Sequence, residues 1–221
     1  MALRAAAFDL DGVLADTFDF HIAGWKAVLR EYHLPVPASF DDLRGAERNA
    51  ALIALLREGG VEPTEVILSR ASAIKLAVRE ERIGHLTPAA ILPGITHLLD
   101  EANGRHVALV CISTNSATTP ILERLGLREN FTRVIAGDDL RPAKNDSAVR
   151  LLTELRALGC TPGEGLYLDD SRRACTHAAA AGIPTVYVGS GALVQGSVRR
   201  PSLAGEQLLT LYERAAAALA R

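Results

Sequence analysis

Aromatic residues are scarce: Phe, Trp and Tyr together make up 5% of the 221 residues. An Ala-rich chain with so few aromatics leans towards helices and away from an all-β barrel. Cysteine is scarce as well. Cys111, Cys160 and Cys175 are odd in number and show no CxxC or other metal-like spacing, which argues against a cysteine metal site. Cys111 lies in an apolar strand-like run and Cys175 in an Ala-rich helix-like run. Both read as small buried hydrophobes, and the compartment reads as the reducing cytoplasm. An excess of one charge is missing too: 24 Lys plus Arg stand against 26 Asp plus Glu, for a net charge of -2. With no basic block, nothing draws the chain to nucleic acid or to an anionic membrane. No apolar run approaches the ~18–20 residues of a membrane span. The first apolar stretch is broken by Asp9 and Asp11 and has no signal-peptide pattern.

What is present is a globular composition, 48% hydrophobic and 23% charged. It fits one large domain, or one domain carrying an insertion. Ala5 to Phe8 reads as a buried strand running into the turn Asp9-Leu10-Asp11-Gly12. Thr17 is placed to cap a helix reaching about Tyr32, with Phe18, Ile22, Trp25, Val28 and Leu29 at helical spacing. Residues 35–88 hold helical segments, Ala46 to Glu58 and Thr64 to Arg82, stopped by Gly59-Gly60 and Gly84, with no convincing strand. From Pro93 strands and helices alternate. Pro93 opens a helix that Gly104 closes, and Val107 to Ile112 is a strand. A helix runs to Leu125, and Val134-Ile135 is a short strand. A helix from Asn145 or Asp146 reaches Leu158, and Gly165 to Leu168 is a strand. Ser171 to Ala181 is a helix, Pro184 to Val188 a strand, and Leu203 to Ala220 a closing helix. Such alternation predicts an α/β fold with a parallel sheet covered on both faces. The predicted division is a core of 1–16 and 90–221, with a helical insertion over 17–89.

In an open α/β sheet, ligands bind beyond the carboxyl ends of the strands. Four such ends carry polar groups here: Asp9 and Asp11; Ser113-Thr114-Asn115; Asp138, Asp139 and Lys144; and Asp169-Asp170-Ser171. Taken singly, each has an ordinary structural reading. DxDG is a turn, Ser-Thr-Asn or Asp-Asp-Ser a helix cap, and a lysine a solvated charge. Their coincidence on one rim favours chemistry. Carboxylate oxygens suit Mg²⁺, and lysine and hydroxyl donors suit phosphate. An Asp beside both can act as nucleophile, and a second Asp two residues on can move a proton.

The stretch Phe8-Asp9-Leu10-Asp11-Gly12-Val13-Leu14-Ala15-Asp16-Thr17 resembles the first signature of the haloacid dehalogenase superfamily of phosphotransferases. Ser113 matches the second signature, Lys144 the third and Asp169-Asp170 the fourth, in order along nearly the whole chain. Within the superfamily the insertion resembles that of the β-phosphoglucomutase group. The resemblance rests on His21 with Trp25-Lys26, on Leu43-Arg44-Gly45-Ala46-Glu47-Arg48, on Lys75, and on Leu92-Pro93-Gly94-Ile95 at the return to the core. Thr17, His21 and Trp25 share one helix face at i, i+4, i+8. Individually His21, Arg48 and Lys75 are ordinary surface or core residues; it is their joint spacing that carries the likeness.

The resemblance implies a Rossmann-like parallel-sheet core with helices on both faces and an inserted helical cap domain. It implies that Asp9 carries the phosphoryl group and Asp11 is the general acid/base. Mg²⁺ would be held by Asp9, Asp11, Asp169 and Asp170, with Asp169 standing where the family usually has Glu. Ser113, Thr114, Asn115 and Lys144 would bind phosphate. Thr17, His21, Trp25, Gly45, Arg48 and Lys75 would form the cap's substrate set. Ser116 and Ala117 stand where the mutase group has a Lys-Asn pair, and Asn145-Asp146 where it has Pro-x-Pro. The expected activity is interconversion of β-glucose 1-phosphate and glucose 6-phosphate through an aspartyl phosphate, by a monomer acting on a small phosphorylated sugar. The alternative is a Mg²⁺-dependent sugar-phosphate phosphatase of the same superfamily. A non-catalytic phosphosugar-binding protein would be suggested by loss of Asp9 or Asp11, and both are present. A dehalogenase needs neither the Mg²⁺ carboxylates nor the second Asp.

Overall fold

The computed structural model describes residues 2–40, 43, 50–137 and 147–221. Six strands form one sheet in the order β3-β2-β1-β4-β5-β6. They are β1 (Ala5–Phe8), β2 (Ala108–Ser113), β3 (Arg133–Ala136), β4 (Gly165–Asp169), β5 (Thr185–Val188) and β6 (Ser197–Arg200). Every pairing is parallel. Parallel strands need crossovers, and helices supply most of them. The order reverses beside β1, so that β1 lies between β2 and β4. Such a reversal leaves a crevice at the strands' carboxyl ends.

The helices are α1 (Phe18–Glu31), α2 (Ala50–Glu58), α3 (Glu65–Gly84), α4 (Ile95–Gly104), α5 (Thr118–Leu125), α6 (Ser147–Ala157), α7 (Arg172–Ala180) and α8 (Leu208–Leu219). Leu151 and Leu155 of α6 and Ala178 of α7 pack on the sheet face formed by Ala5, Ala7, Val110, Ile112 and Tyr167. Helices α4 and α8 pack on one another, α4 also against β2 and α8 against β5 and β6. Glu101 of α4 accepts hydrogen bonds from the first amides of α8, Leu208 N (2.6 Å) and Leu209 N (3.4 Å). A carboxylate there satisfies donors that a helix start leaves without intrahelical partners.

The chain divides into two compact units, 1–16 with 87–221, and 17–86. In the second, Trp25, Leu29, Phe40, Ala51 and Leu55 form one apolar cluster, and Val28, Leu52, Leu56 and Ala71 another. Within the first unit, Asp16 N donates to Ala90 O (3.1 Å) and Leu92 N donates to Leu14 O (3.0 Å). The outgoing and returning strands of chain are thus tied together beside β1.

Several elements differ from the sequence expectation. Strand β6 was not foreseen: Ser197-Val198-Arg199-Arg200 is too short and too charged to stand out, and its place at the sheet edge tolerates polar residues. Helix α8 begins at Leu208 rather than Leu203, since Gln207 is its N-cap. Thr17 takes the N-cap position of α1 but makes no capping hydrogen bond, whereas the Thr64 hydroxyl accepts from Ile67 N at 3.4 Å at the start of α3. The start of the helix expected from Ala46, and of the one expected from Asn145 or Asp146, lies outside the described residues. No described helix is long and apolar enough to cross a membrane. All three cysteines are buried and free.

Leu56 is fully buried in the smaller unit. Leu56→Ala is expected to cost that unit about 2–5 kcal/mol by leaving a cavity. Denaturant unfolding followed by Trp25 fluorescence measures it, and an unchanged midpoint would contradict this packing.

Candidate active site

Strand pairing brings the acidic residues together. Phe8 of β1 is in register with Leu168 of β4, and Asp9 N donates to Leu168 O at 2.9 Å. Asp9 therefore follows directly beside Asp169. One carboxylate oxygen from each of Asp9, Asp169 and Asp170 can be chosen so that all lie within 4.8 Å of one another.

The turn after β1 completes the arrangement. Leu10 O accepts from the amides of Val13, Leu14 and Ala15, which winds the chain tightly past Asp11. Gly12 sits at φ +78°, a left-handed conformation that disfavours side chains. A Cβ there would collide with the Asp170 carboxylate. Glycine is thus required both for the turn and for room beside Asp170.

Four negative groups this close repel each other. Burial first, and then the Asp169, Asp170 and Asp11 carboxylates, push the Asp9 carboxyl well above the ordinary carboxylate range. Burial pushes Asp169 up to about 6, against the lowering pull of two donors. Those donors are the Tyr167 hydroxyl, which donates to Asp169 Oδ2, and Ser171 N, which donates to Oδ1 at 2.6 Å. A hard oxygen-loving cation such as Mg²⁺ would relieve this repulsion, and the all-carboxylate donor set fits it. The Cys175 thiol donates to Asp169 O at 3.4 Å, and burial followed by the nearby carboxylates drives its pKa up, so it remains a neutral packing group.

Ser113 and Asn115 are buried at the carboxyl end of β2, and Thr114 between them is exposed. Asn115 N donates to Ser113 Oγ at 3.3 Å. The Asn115 side-chain amide faces Asp11, 3.2 Å from each carboxylate oxygen. The following loop runs close to the end of β3: a Cβ on Gly137 would lie 2.8 Å from Ser116 N.

Among the residues expected in the insertion, His21, Trp25 and Lys75 come together. The His21 and Trp25 rings lie 5.9 Å apart, and Lys75 Nζ sits 5.5 Å from the Trp25 ring centroid. Gly24 allows this approach, since a Cβ there would meet Lys75 Cγ at 3.3 Å. Trp25 itself is 4% exposed and stacks on Phe40, with centroids 5.6 Å apart. Its place is the core of the smaller unit, where it forms the platform that carries His21 and Lys75. Thr17 precedes α1 and is buried. Gly45, Arg48 and Lys144 lie outside the described residues, as do Asp138, Asp139, Asn145 and Asp146.

Tyr167 was not foreseen as a site residue. The available signal was a tyrosine inside an apolar strand, two residues before Asp169 and so on the same face. A buried tyrosine hydroxyl needs a partner, and Asp169 is the nearest carboxylate on that face. A surface cavity of about 290 Å³ lies elsewhere, lined by Arg128, Thr132, Arg133, Arg150 and Glu154 among others and by none of the four carboxylates. Buried Glu154 pairs there with Arg133 (3.2 Å) and Arg150 (3.3 Å).

Comparison with known proteins agrees with this architecture. The profile of the haloacid dehalogenase-like hydrolases matches residues 6–188. The chain is 28% identical over 201 residues to a β-phosphoglucomutase of Bacillus subtilis, covering 88% of this chain and 87% of that one. It is 30% identical over 196 residues to a phosphoglycolate phosphatase of Chromobacterium violaceum, covering 86% of each. The fold superposes on the crystal structure of a β-phosphoglucomutase from Clostridium difficile with a TM-score of 0.84 at 21% identity, covering 99% of this chain and 100% of that one.

Two outcomes follow from the carboxylate geometry. A carboxyl whose folded pKa exceeds its unfolded value costs stability as pH rises through that interval, because the native state holds its proton longer. The metal-free protein is therefore expected to lose thermal stability as pH rises from about 4 to about 6, the interval over which Asp169 keeps its proton only when folded. Mg²⁺ should restore more of the Tm at the upper end than at the lower, where protons compete. A Mg²⁺ shift equal at both ends would contradict the cluster as a cation site. Tyr167→Phe frees one Asp169 oxygen and should weaken Mg²⁺ binding about 10-fold or more, read as a rightward displacement of the Tm against Mg²⁺ titration.

Proposed function

The chain belongs to the haloacid dehalogenase-like hydrolase family, and on that premise we propose that it is a Mg²⁺-dependent phosphosugar mutase of the β-phosphoglucomutase type. The reaction is interconversion of β-glucose 1-phosphate and glucose 6-phosphate. The observation that carries the mutase reading is the grouping of His21 and Lys75 on the Trp25 platform. It joins residues from two helices, α1 and α3, that the mutase resemblance picks out by spacing alone. Similarity to the Bacillus subtilis β-phosphoglucomutase over 87% of that protein supports it.

In the mechanism, an Asp9 carboxylate oxygen attacks the phosphorus of a phosphoryl donor, and the bond from phosphorus to the donor's ester oxygen breaks. Asp11 delivers a proton to that departing oxygen. Asp9 now carries an aspartyl phosphate. A hydroxyl of the sugar phosphate then attacks this phosphorus, Asp11 takes up the hydroxyl proton, and Asp9 is released with a sugar bisphosphate formed. After the bisphosphate reorients, the same two residues remove its other phosphate and pass it to the next substrate. Mg²⁺, held by Asp9, Asp169 and Asp170 with Asp11, would supply positive charge against the phosphoryl oxygens. Ser113 and Lys144 serve the transferring phosphate. Arg48 serves the other phosphate, with Thr17, His21, Gly45 and Lys75 in the selection of the sugar.

A phosphatase reading has its own support. Short Ser116 and Ala117 replace the Lys-Asn pair of the mutase group, and the Chromobacterium violaceum relative is a phosphatase. In that reading water replaces the sugar hydroxyl in the second step, and all else is shared.

Product analysis separates the two. With β-glucose 1-phosphate, Mg²⁺ and a catalytic amount of a glucose bisphosphate, the mutase reading expects glucose 6-phosphate without matching release of inorganic phosphate. Inorganic phosphate alone would sink it in favour of the phosphatase. Asp9→Asn should lower turnover by about 10³-fold or more in either case, and retained activity would remove Asp9 as the nucleophile.

A further inference from the structure

Asn115 is expected by resemblance to bind phosphate, but its side chain is engaged elsewhere. The amide nitrogen Nδ2 lies 3.2 Å from both Oδ1 and Oδ2 of Asp11. The other end of the amide is occupied too, since Ala117 N donates to Asn115 Oδ1 at 2.9 Å. That second bond settles the orientation: a flipped amide would set its oxygen against the Asp11 carboxylate and its NH₂ against the Ala117 N–H. The backbone of Asn115 is held as well. Its N–H donates to Ser113 Oγ at 3.3 Å, and its carbonyl accepts from the Thr118 hydroxyl at 2.5 Å. Asn115 is buried, at 9% exposure. It is thus a rigid donor fixed to the β2–α5 connection and aimed at a carboxylate on the turn after β1, 104 residues away in sequence.

We propose that Asn115 is a positioning residue for Asp11, setting the direction of the carboxylate that moves the proton, rather than a phosphate ligand. The inference rests on the acid/base role given to Asp11 above. Its physical content is geometric. A carboxylate on a short side chain has two torsions to settle, and proton transfer demands that one oxygen lie within hydrogen-bond reach of the reacting ester oxygen. A donor bifurcated between both oxygens holds the carboxylate plane. Errors of about 1 Å in such placement can cost about 10²-fold in rate.

Asn115→Asp tests this with little disturbance. It is isosteric and keeps an acceptor for Ala117 N, while it replaces the donor facing Asp11 with a like charge. Two substrates separate the roles. A sugar phosphate has a poor leaving group that needs a proton from Asp11, and p-nitrophenyl phosphate has a good one that does not. Read as kcat/KM, which reports steps through cleavage of the ester bond, Asn115→Asp should lose about 10–100-fold on the sugar phosphate. The loss on p-nitrophenyl phosphate should be at least about 5-fold smaller, because repulsion of phosphate by the new charge acts on both substrates and cancels in their ratio. Equal losses on both substrates would overturn the proposal. A wild-type protein that cleaves only p-nitrophenyl phosphate would instead count against the sugar-phosphate function. For that outcome a second measurement decides on Asn115 itself. The side-chain amide resonances of Asn115 should shift in Asp11→Ala, and resonances left in place would overturn the contact whatever the substrate.

Discussion

Negative charge crowded at the ends of two neighbouring parallel strands is the constraint on which the rest of the structure depends. Because Phe8 pairs with Leu168, the residues that follow them, Asp9 and Asp169, have to emerge side by side. Asp170 and Asp11 are added within a residue or two. In water such charges would spread apart, but here the backbone holds them; burial raises the pKa of Asp9 and of Asp169, and at Asp9 the neighbouring carboxylates add to it. A site with this much stored repulsion is prepared for a cation and for a phosphoryl group that arrives with one.

Three uncharged donors among the described residues orient the carboxylates of this cluster. Tyr167 and Ser171 N each hold one oxygen of Asp169, and the Asn115 amide holds Asp11. None of these donors is charged. A lysine or arginine in their place would form an ion pair with the carboxylate and remove the incentive to bind a cation. Neutral donors orient the oxygens and leave their charge in force. Gly12 contributes by lacking a side chain, since any Cβ there would displace Asp170 from the cluster. The geometry is therefore maintained by strand pairing, by dipoles and by one required absence.

Much of this was legible in sequence, because it is carried by local patterns. The alternation of apolar runs and helical spacings after Pro93 describes β2 to β5 and their helices to within a few residues. The rule that ligands sit at strand carboxyl ends then places Asp9, Asp11, Ser113 and Asp169-Asp170 on one rim. What escaped notice depends on pairing between distant segments. Strand β6 exists because β5 offers it an edge, not because Ser-Val-Arg-Arg prefers to be extended. Asn115 reads as a helix cap or a phosphate ligand until the β1–β2 pairing sets its amide against Asp11. Trp25 reads by resemblance as one of the cap's substrate set, on one helix face with Thr17 and His21, while Phe40 and Leu55 enclose it as core. Spacing along a helix shows which residues share a face but not what that face meets.

On the proposed reading, mutase and phosphatase differ only in what reaches the aspartyl phosphate first. The core chemistry is shared: Asp9, Asp11 and the cation-binding carboxylates do the same work for a sugar hydroxyl and for water. Discrimination must come from groups that make a sugar phosphate more available than water to the phosphorylated Asp9. Binding that uses the substrate's second, non-reacting phosphate is suited to this, because water has nothing equivalent to offer. That assigns the decision to cationic residues of the insertion, with Lys75 and Arg48 as candidates. The replacement of Lys-Asn by Ser116-Ala117 removes a charge from the side of the transferring phosphate. A weaker hold on the sugar phosphate leaves water the advantage at the aspartyl phosphate, so this departure favours the phosphatase. The His21–Trp25–Lys75 grouping favours the mutase, and the outcome is set by whether the insertion's hold on the sugar phosphate outweighs that loss.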